Sequence, residues 1–417
     1  MDAEVISIGD ELTSGQRLDT NTQWLSERLG EVGIRVLYHT TVADDLAANV
    51  RVFREAAERA DVVVASGGLG PTADDLTREV LAQLTNSELV LREDVVEHIR
   101  ALFARFGRTM PEKNTVQALF PAGSHMIPNP TGTAPGIALE VPRVTGRPCR
   151  VYALPGVPSE MFRMWADTVG PELANLSGAP QVIRHRRIKC FGLSESELEG
   201  RLPDMIRRGR SPSVGITVSA ATITLRITAQ GASDAECRTQ MEPTVATIYD
   251  CLGNVVFGEE DDELEDVVMR LLEQRRLTLA TVEWGTGGLV AHRLHEASPE
   301  GQHFVGGLIA PNQSSLTRLL GVPAEFITEH TPVSAEVVEA MARGCRERLG
   351  TDLALAVSQF PLPATKETTP QRLFIALASA TEVIPRSVPH FGSPDILTTR
   401  AAKQALNLVR LALLGAT

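Results

Sequence analysis

The sequence predicts an α/β protein in three parts: a parallel-sheet domain over residues 1–172, a small α+β unit over 173–258 and a second α/β domain over 259–417. Three observations carry that expectation. Short β-branched runs alternate with stretches whose apolar residues recur three and four apart, the pattern of strands joined by crossover helices. Two of those runs empty into glycine-rich turns that open a helix, at Gly67, Gly68 and Gly70 and again at Gly285, Gly287 and Gly288. Between them, from about residue 178, the texture shifts to a basic strand, an alternating apolar strand and helical spacing, closed by the acidic stretch 258–263.

Composition removes several classes at once. The chain has 417 residues, 43% of them hydrophobic, enough to bury two or three ordinary cores. A net charge of −12 with no long Lys/Arg run excludes general nucleic-acid binding by electrostatics. No run reaches transmembrane length, and residues 1–9 read as a strand entering a motif and not as a charged-then-apolar leader, so a cytoplasmic protein without membrane partners is expected. Five scattered cysteines, Cys149, Cys190, Cys237, Cys251 and Cys345, lack the close pairs of a zinc site and read as buried free thiols.

In chain order, residues 4–8 form a strand that leads into a polar loop with Asp10 and Glu11. Asp19, Thr20 and Asn21 open a helix with Trp24, Leu25, Leu29 and Val32 on one face, which Gly33 closes. Residues 34–38 are a strand running to Asp44 and Asp45, and Leu46, Val50, Phe53 and Ala57 mark the next helix. Residues 62–65 are a buried strand. It empties into Gly67, Gly68, Leu69, Gly70, Pro71 and Thr72, followed by Asp74 and Asp75 and a helix through Leu76, Val80 and Leu84. Glycines let the backbone approach a ligand and expose N–H groups, so this turn is a candidate phosphate cradle. Carboxylates beside a phosphate need a cation between them, which predicts a divalent metal such as Mg²⁺ or Mn²⁺. Three acidic loops thus follow three strands, and in a parallel sheet all three fall on the carboxyl edge, where ligands bind. Which acid touches metal is left open by the pattern.

Further on, Val95, Ile99, Leu102 and Phe106 continue a helix, and a break at Pro111 precedes Lys113 and Asn114. These two read either as ligand contacts or as a solvent lysine and a helix cap. The glycine- and proline-rich residues 128–136 form a shaped loop that includes Gly132 and Thr133, and residues 150–154 are a further strand. In the middle part, 184–191 is a basic strand, 194–206 a helix, 221–230 a strand and 235–252 a helix; the basic cluster lacks the interleaved aromatics of a base-stacking surface. Beyond 258, a helix from Leu264, a strand over 277–282, the second glycine turn, a helix over 334–349, a strand over 353–357 and a last helix from about Ile396 resume the α/β pattern.

The chain resembles the CinA family along essentially its whole length. The resemblance rests on Gly9-Asp10-Glu11-Leu12, Asp19-Thr20-Asn21, Gly67 to Thr72 with Asp74-Asp75, Pro111-Glu112 with Asn114, Asn129-Pro130 with Gly132 to Gly136, and Leu154 to Pro158, all in family order. It implies a first domain of the fold that binds molybdopterin in MogA and MoaB proteins and that in CinA hydrolyses ADP-ribose, a dinucleotide-type substrate, to AMP and ribose 5-phosphate with a divalent metal (Mg, Mn or Co). Asp74, Asp75, Asp44 and Glu11 are then the catalytic candidates and Asp10, Asp45 and Asp74 the metal candidates. Gly67 to Thr72, Lys113, Asn114, Gly132 and Thr133 are the phosphate and nucleotide contacts. A homodimer is implied by the resemblance alone. The other expectation for this fold is a non-catalytic pterin- or nucleotide-binding module.

The resemblance also implies a C-terminal domain like PncC, which deamidates nicotinamide mononucleotide. Here the chain departs from the family. The motif Glu-Ser-Cys-Thr-Gly-Gly has Trp284 where the serine nucleophile belongs and Gly285 for the cysteine, and the family's tyrosine and lysine fall on Pro311 and Leu316. Its glycine loop reads Ser358-Gln359-Phe360-Pro361-Leu362-Pro363. Without a nucleophile, acyl transfer at that position is not expected, and Trp284 is expected to fill the vacated pocket.

Overall fold

Four consecutive parallel strands build the sheet that carries the acidic loops, as the alternating pattern predicts. The computed structural model describes residues 1–105, 107–176, 182–207, 209–298, 301–361, 371–390 and 393–416. It divides into two compact units, residues 1–184 with 229–240 and residues 185–228 with 241–417. Phe106, Leu362 and Pro363, to which the sequence assigns a helix face and a loop, lie outside the described residues.

In the first unit a six-stranded sheet runs in the order Arg35–Val42, Asp2–Ile8, Val62–Ser66, Cys149–Leu154, Gly136–Val141, His125–Ile127. The first four strands are mutually parallel. The last two are antiparallel and extend the parallel sheet that the alternating pattern predicts. Residues 142–148 are too short for the roughly a dozen residues a parallel crossover needs, so Gly136–Val141 can only turn back on its neighbour.

Alternating residues of the first strand face opposite cores. Val5 packs with Leu25 and Leu29 of the helix Thr20–Glu31 and with Met161 and Met164 of Pro158–Met164. Ile6 packs with Phe53 of Leu46–Arg59, Val80 and Leu81 of Thr77–Leu84, and Val95 and Ile99 of Glu93–Arg105. The helices that follow the first and third strands therefore lie on opposite faces, and a crevice opens between the carboxyl ends of those strands. Glu4, fully buried on the first strand, is held by two bonds from Arg59 (2.8 and 2.7 Å) and one from the Thr40 hydroxyl (2.6 Å), so its charge is paired.

A four-stranded sheet runs Ser213–Ser219, Thr222–Gly231, Val182–Cys190, Val256–Glu259. The helix Glu195–Arg201 is shorter than the 194–206 predicted, because Pro203 offers no N–H to continue it; Ser194 and Glu197 close its start as a capping box. The basic strand is neutralised from within: Arg184 pairs with Asp234, Arg186 with Glu242 and Glu259, Arg187 with Glu260 and Asp261, and Lys189 with Glu263. The second unit's five-stranded sheet runs Phe304–Ile309, Leu279–Glu283, Leu353–Val357, Arg372–Ala378, Val383–Pro389, the first three parallel and the last two antiparallel. Among the described residues no helix is long and apolar enough to cross a membrane.

Candidate functional site

At the crevice the chain leaves Val62–Ser66 through a turn that only glycine can make. Gly68 has φ +68°, and a Cβ there would run into the Thr77 hydroxyl; at Gly70 a Cβ would meet the Asp75 carboxylate. The turn is clamped from beneath. Thr77 Oγ1 donates to Gly67 O (2.9 Å), and Arg78 donates to Leu69 O (2.9 Å) and Gly70 O (2.6 Å). Gln117 Nε2 adds a bond to Leu69 O (3.3 Å) and is itself held by Asn114 Nδ2 (2.8 Å). With its carbonyls drawn inward, the turn leaves the N–H groups of Gly68 and Leu69 with no acceptor among the described residues. Both belong to a cleft of about 580 Å³ also lined by Gly9, Glu11, Arg17, Asp44, Asp74, Thr133 and Glu160.

The three acidic loops do meet at this cleft, but their six carboxylates have separate tasks. Asp75 accepts from Gly70 N (2.7 Å), Thr72 N (2.9 Å) and the Thr72 hydroxyl, so it braces the glycine turn and is not free for the catalytic role its position suggests. Asp45 caps the helix Leu46–Arg59 through Ala48 N (2.7 Å) and does not line the cleft, which removes it from the metal candidates. Asp10 and Asp44 are tied reciprocally, each accepting from the other's N–H (3.1 and 3.0 Å). Asp44 has its pKa raised, first by burial and then by the charges of Asp10, Asp74 and Glu11, against one lowering bond from the Asp10 N–H. Asp74 is fully exposed and lines the cleft.

The other predicted contacts divide likewise. Thr133 lines the cleft, whereas Gly132 donates its N–H to Asn129 (2.9 Å) and gives room to Glu160, since a Cβ would collide with that carboxylate. Lys113 is exposed and does not line the cleft, and Asn114 is buried beneath the turn with its amide committed to Gln117. Residues that the sequence reading passed over are Arg17, the one basic side chain on the cleft wall among the described residues, and Glu160, Gln117 and Arg78. For Arg78 a signal existed: a cation in the first turn of a helix opposes the helix dipole and calls for another reason to be there.

Among the described residues no group of three or more His, Cys, Asp or Glu stands ready to hold a metal ion. The donor set still fits one kind of cation. Asp44 and Asp74 face each other's charge with, among the described residues, no cation but Arg17 on the cleft wall, and Mg²⁺-type ions bind through one or two carboxylates plus substrate phosphates and water.

In the second unit the other glycine turn is organised differently. Glu283, buried on Leu279–Glu283, accepts from the Thr286 hydroxyl (2.6 Å) and from Gly288 N (3.1 Å), Val290 N (3.0 Å) and Ala291 N (2.8 Å), filling the helix start with a protein carboxylate. Trp284 is partly buried against the cluster of Ala280, Val282 and Leu316. The space a side chain at Gly285 would need is taken by Phe360, whose ring lies 4.6 Å from that of His390. So Phe360 shares the filling assigned by sequence to Trp284 alone. Pro311 is exposed and Leu316 is fully buried.

These features define a class: an α/β domain with a glycine-lined cleft at its strand-order switch point, on a chain with a small α+β module and a second α/β domain. Comparison with known proteins gives the family. Models match for the probable molybdopterin binding domain at residues 4–175, the damage-inducible protein CinA KH domain at 185–258 and the CinA C-terminal domain at 261–413. The chain is 35% identical over 416 residues to a putative competence-damage inducible protein of Desulforamulus reducens, covering 100% of both. It is 38% identical over 427 residues to a CinA-like protein of Frankia casuarinae, covering 100% of this chain and 97% of that one. Among solved structures, the protein CinA with unknown function from Thermoplasma acidophilum is 34% identical, covering 41% of this chain and 97% of its own, with a TM-score of 0.37. The chain belongs to the CinA family.

Proposed function

We propose that the first unit's cleft binds ADP-ribose across its diphosphate and hydrolyses that linkage: water adds to one phosphorus, the bridging oxygen leaves with the other, and AMP and ribose 5-phosphate result. One observation carries this reading. The unpaired N–H groups of Gly68 and Leu69 share a cleft with Asp44, Asp74 and Glu11, and the repulsion among those acids helps raise the Asp44 pKa. Donors suited to phosphate beside carboxylates that repel it make chemical sense with a cation between them. Asp44 and Asp74 are the residues that would hold it; Mg²⁺, Mn²⁺ or Co²⁺ supplies charge neutralisation and an acidified water when bound.

The remaining roles fall to this chain's own groups. Gly68 and Leu69 N–H donate to phosphate oxygens, Arg17 reaches an outer phosphate oxygen, and Glu11, folded against Gly9, takes the water's proton as general base. Asp75 contributes by keeping Gly70 and Thr72 in place. The second unit, with Trp284 and Phe360 where a nucleophile and its pocket would be, does not deamidate nicotinamide mononucleotide. Assembly as a cytoplasmic homodimer is part of the proposal, and light scattering at monomer mass would count against it.

A second reading, binding of a pterin or nucleotide without turnover, is favoured by the molybdopterin-binding description of the matching domain. Incubation with ADP-ribose and each metal, followed by chromatography, separates the two. Equal amounts of AMP and ribose 5-phosphate support hydrolysis; calorimetric binding of the nucleotide with no product supports the second reading.

A further inference from the structure

Arg78 is a buried cation that the proposed chemistry does not use. It is 3% exposed, and its guanidinium bonds go to carbonyl oxygens: Leu69 O at 2.9 Å, Gly70 O at 2.6 Å and Asp75 O at 3.4 Å. Glu79 and Asp75 act on it only through longer-range attraction, and it forms no ion pair with either. Carbonyls satisfy its donors without cancelling its charge. Buried charges are ordinarily paired, because an isolated one is costly in a medium of low polarity. An arginine stays protonated at neutral pH even where burial works against it, as it does here. A full positive charge therefore sits directly behind the turn whose free N–H groups open on the cleft.

We infer that Arg78 is the buried charge behind the phosphate site: it fixes the Leu69 and Gly70 carbonyls beneath the turn whose free Gly68 and Leu69 N–H groups Thr77 turns outward, and its missing counter-ion is the phosphate of the ligand. The inference rests on the reading of the cleft as a phosphate site and deepens it. Arg78 never touches the ligand. It acts through a field that the protein interior screens less than water does. Two consequences separate this from a merely structural role. Removing the charge weakens anionic ligands beyond the stability that the free protein loses with the carbonyl bonds. A lysine, shorter and without the fork, retains the charge and so retains part of the anion binding.

Thermal unfolding of the full chain, with and without pyrophosphate or AMP, tests it. Wild type is expected to be stabilised by either anion. Arg78→Gln is expected to melt below the wild-type temperature when free of ligand and, measured from that lower baseline, to lose most of the anion-induced shift, with the Kd for AMP raised about tenfold or more, which is the loss of ~1.4 kcal/mol. Arg78→Lys is expected to keep at least half of the shift, and it carries the test alone should Arg78→Gln not fold. Full stabilisation of Arg78→Gln by AMP would overturn the inference, as would loss of the shift in Arg78→Lys to the same extent. Wild type unmoved by both anions would overturn the phosphate-site reading itself, a result distinct from the other two.

Discussion

Replacing Gly68 with alanine tests the geometry of the glycine turn most sharply when set beside the same change at Gly15. Both glycines have positive φ, +68° and +75°, so both alanines incur the left-handed backbone penalty of about 1–2 kcal/mol. At Gly15 nothing lies within 4 Å of the new Cβ. At Gly68 the methyl group meets the Thr77 hydroxyl, which must move and give up its 2.9 Å bond to Gly67 O. A lost buried hydrogen bond is worth ~1 kcal/mol and local overpacking ~1–3 kcal/mol, so Gly68→Ala is expected to cost about 2–4 kcal/mol more than Gly15→Ala. Urea unfolding followed by tryptophan fluorescence in a Trp284→Phe background reports the first unit alone, because the other two tryptophans, Trp24 and Trp165, belong to it. Equal destabilisation by the two substitutions would refute the argument that Thr77 packs against a glycine by necessity.

Three further outcomes are expected. Asp44→Asn should abolish metal-dependent hydrolysis yet raise stability at neutral pH. Folding raises the Asp44 pKa, so the stability it contributes is present below the ordinary carboxylate range and is lost as pH rises through the raised value; the gain from Asn should therefore vanish in acid, which melts across pH would show. Lys403, buried and donating to Thr222 (2.6 Å) and Glu263 (3.0 Å), should cost the second unit about 1–2 kcal/mol when changed to methionine, the lower part of the range because Glu263 is partly exposed. Burial works against the Glu263 charge, but Lys189 and Lys403 outweigh it and hold its pKa low, so that loss should shrink as pH falls through the lowered value. Nicotinamide mononucleotide should be recovered unchanged after long incubation with the protein, as measured by chromatography.

What the sequence reveals and what it hides have physical causes. The strands Asp2–Ile8 and Val62–Ser66, their glycine turn and the acidic loops after them follow from short-range pattern, because strand, turn and helix cap are each written within a few residues. Gly136–Val141 and His125–Ile127 were not legible, since glycine and proline around them mask a weak alternation that only sheet pairing resolves. Asp74 and Asp75 are indistinguishable in a string of letters. In space one faces solvent and the other accepts three bonds from the turn. Lys113 and Arg78 invert their apparent importance for the same reason: burial and partners are properties of the fold, not of residue type. At Trp284 the missing nucleophile is plain from sequence, but the role of Phe360, seventy-six positions on, depends on the pairing of Leu279–Glu283 with Leu353–Val357.

The most direct measurement of the central claim is metal restoration. Protein stripped with a chelator is given ADP-ribose, then Mg²⁺, Mn²⁺ or Co²⁺ in excess, and AMP is followed for wild type and for an Asp44→Asn/Asp74→Asn variant. The account predicts no AMP before the metal, AMP after it from wild type, and none above background from the variant at any metal concentration. AMP formed without metal, or at equal rates by the two proteins, would contradict it.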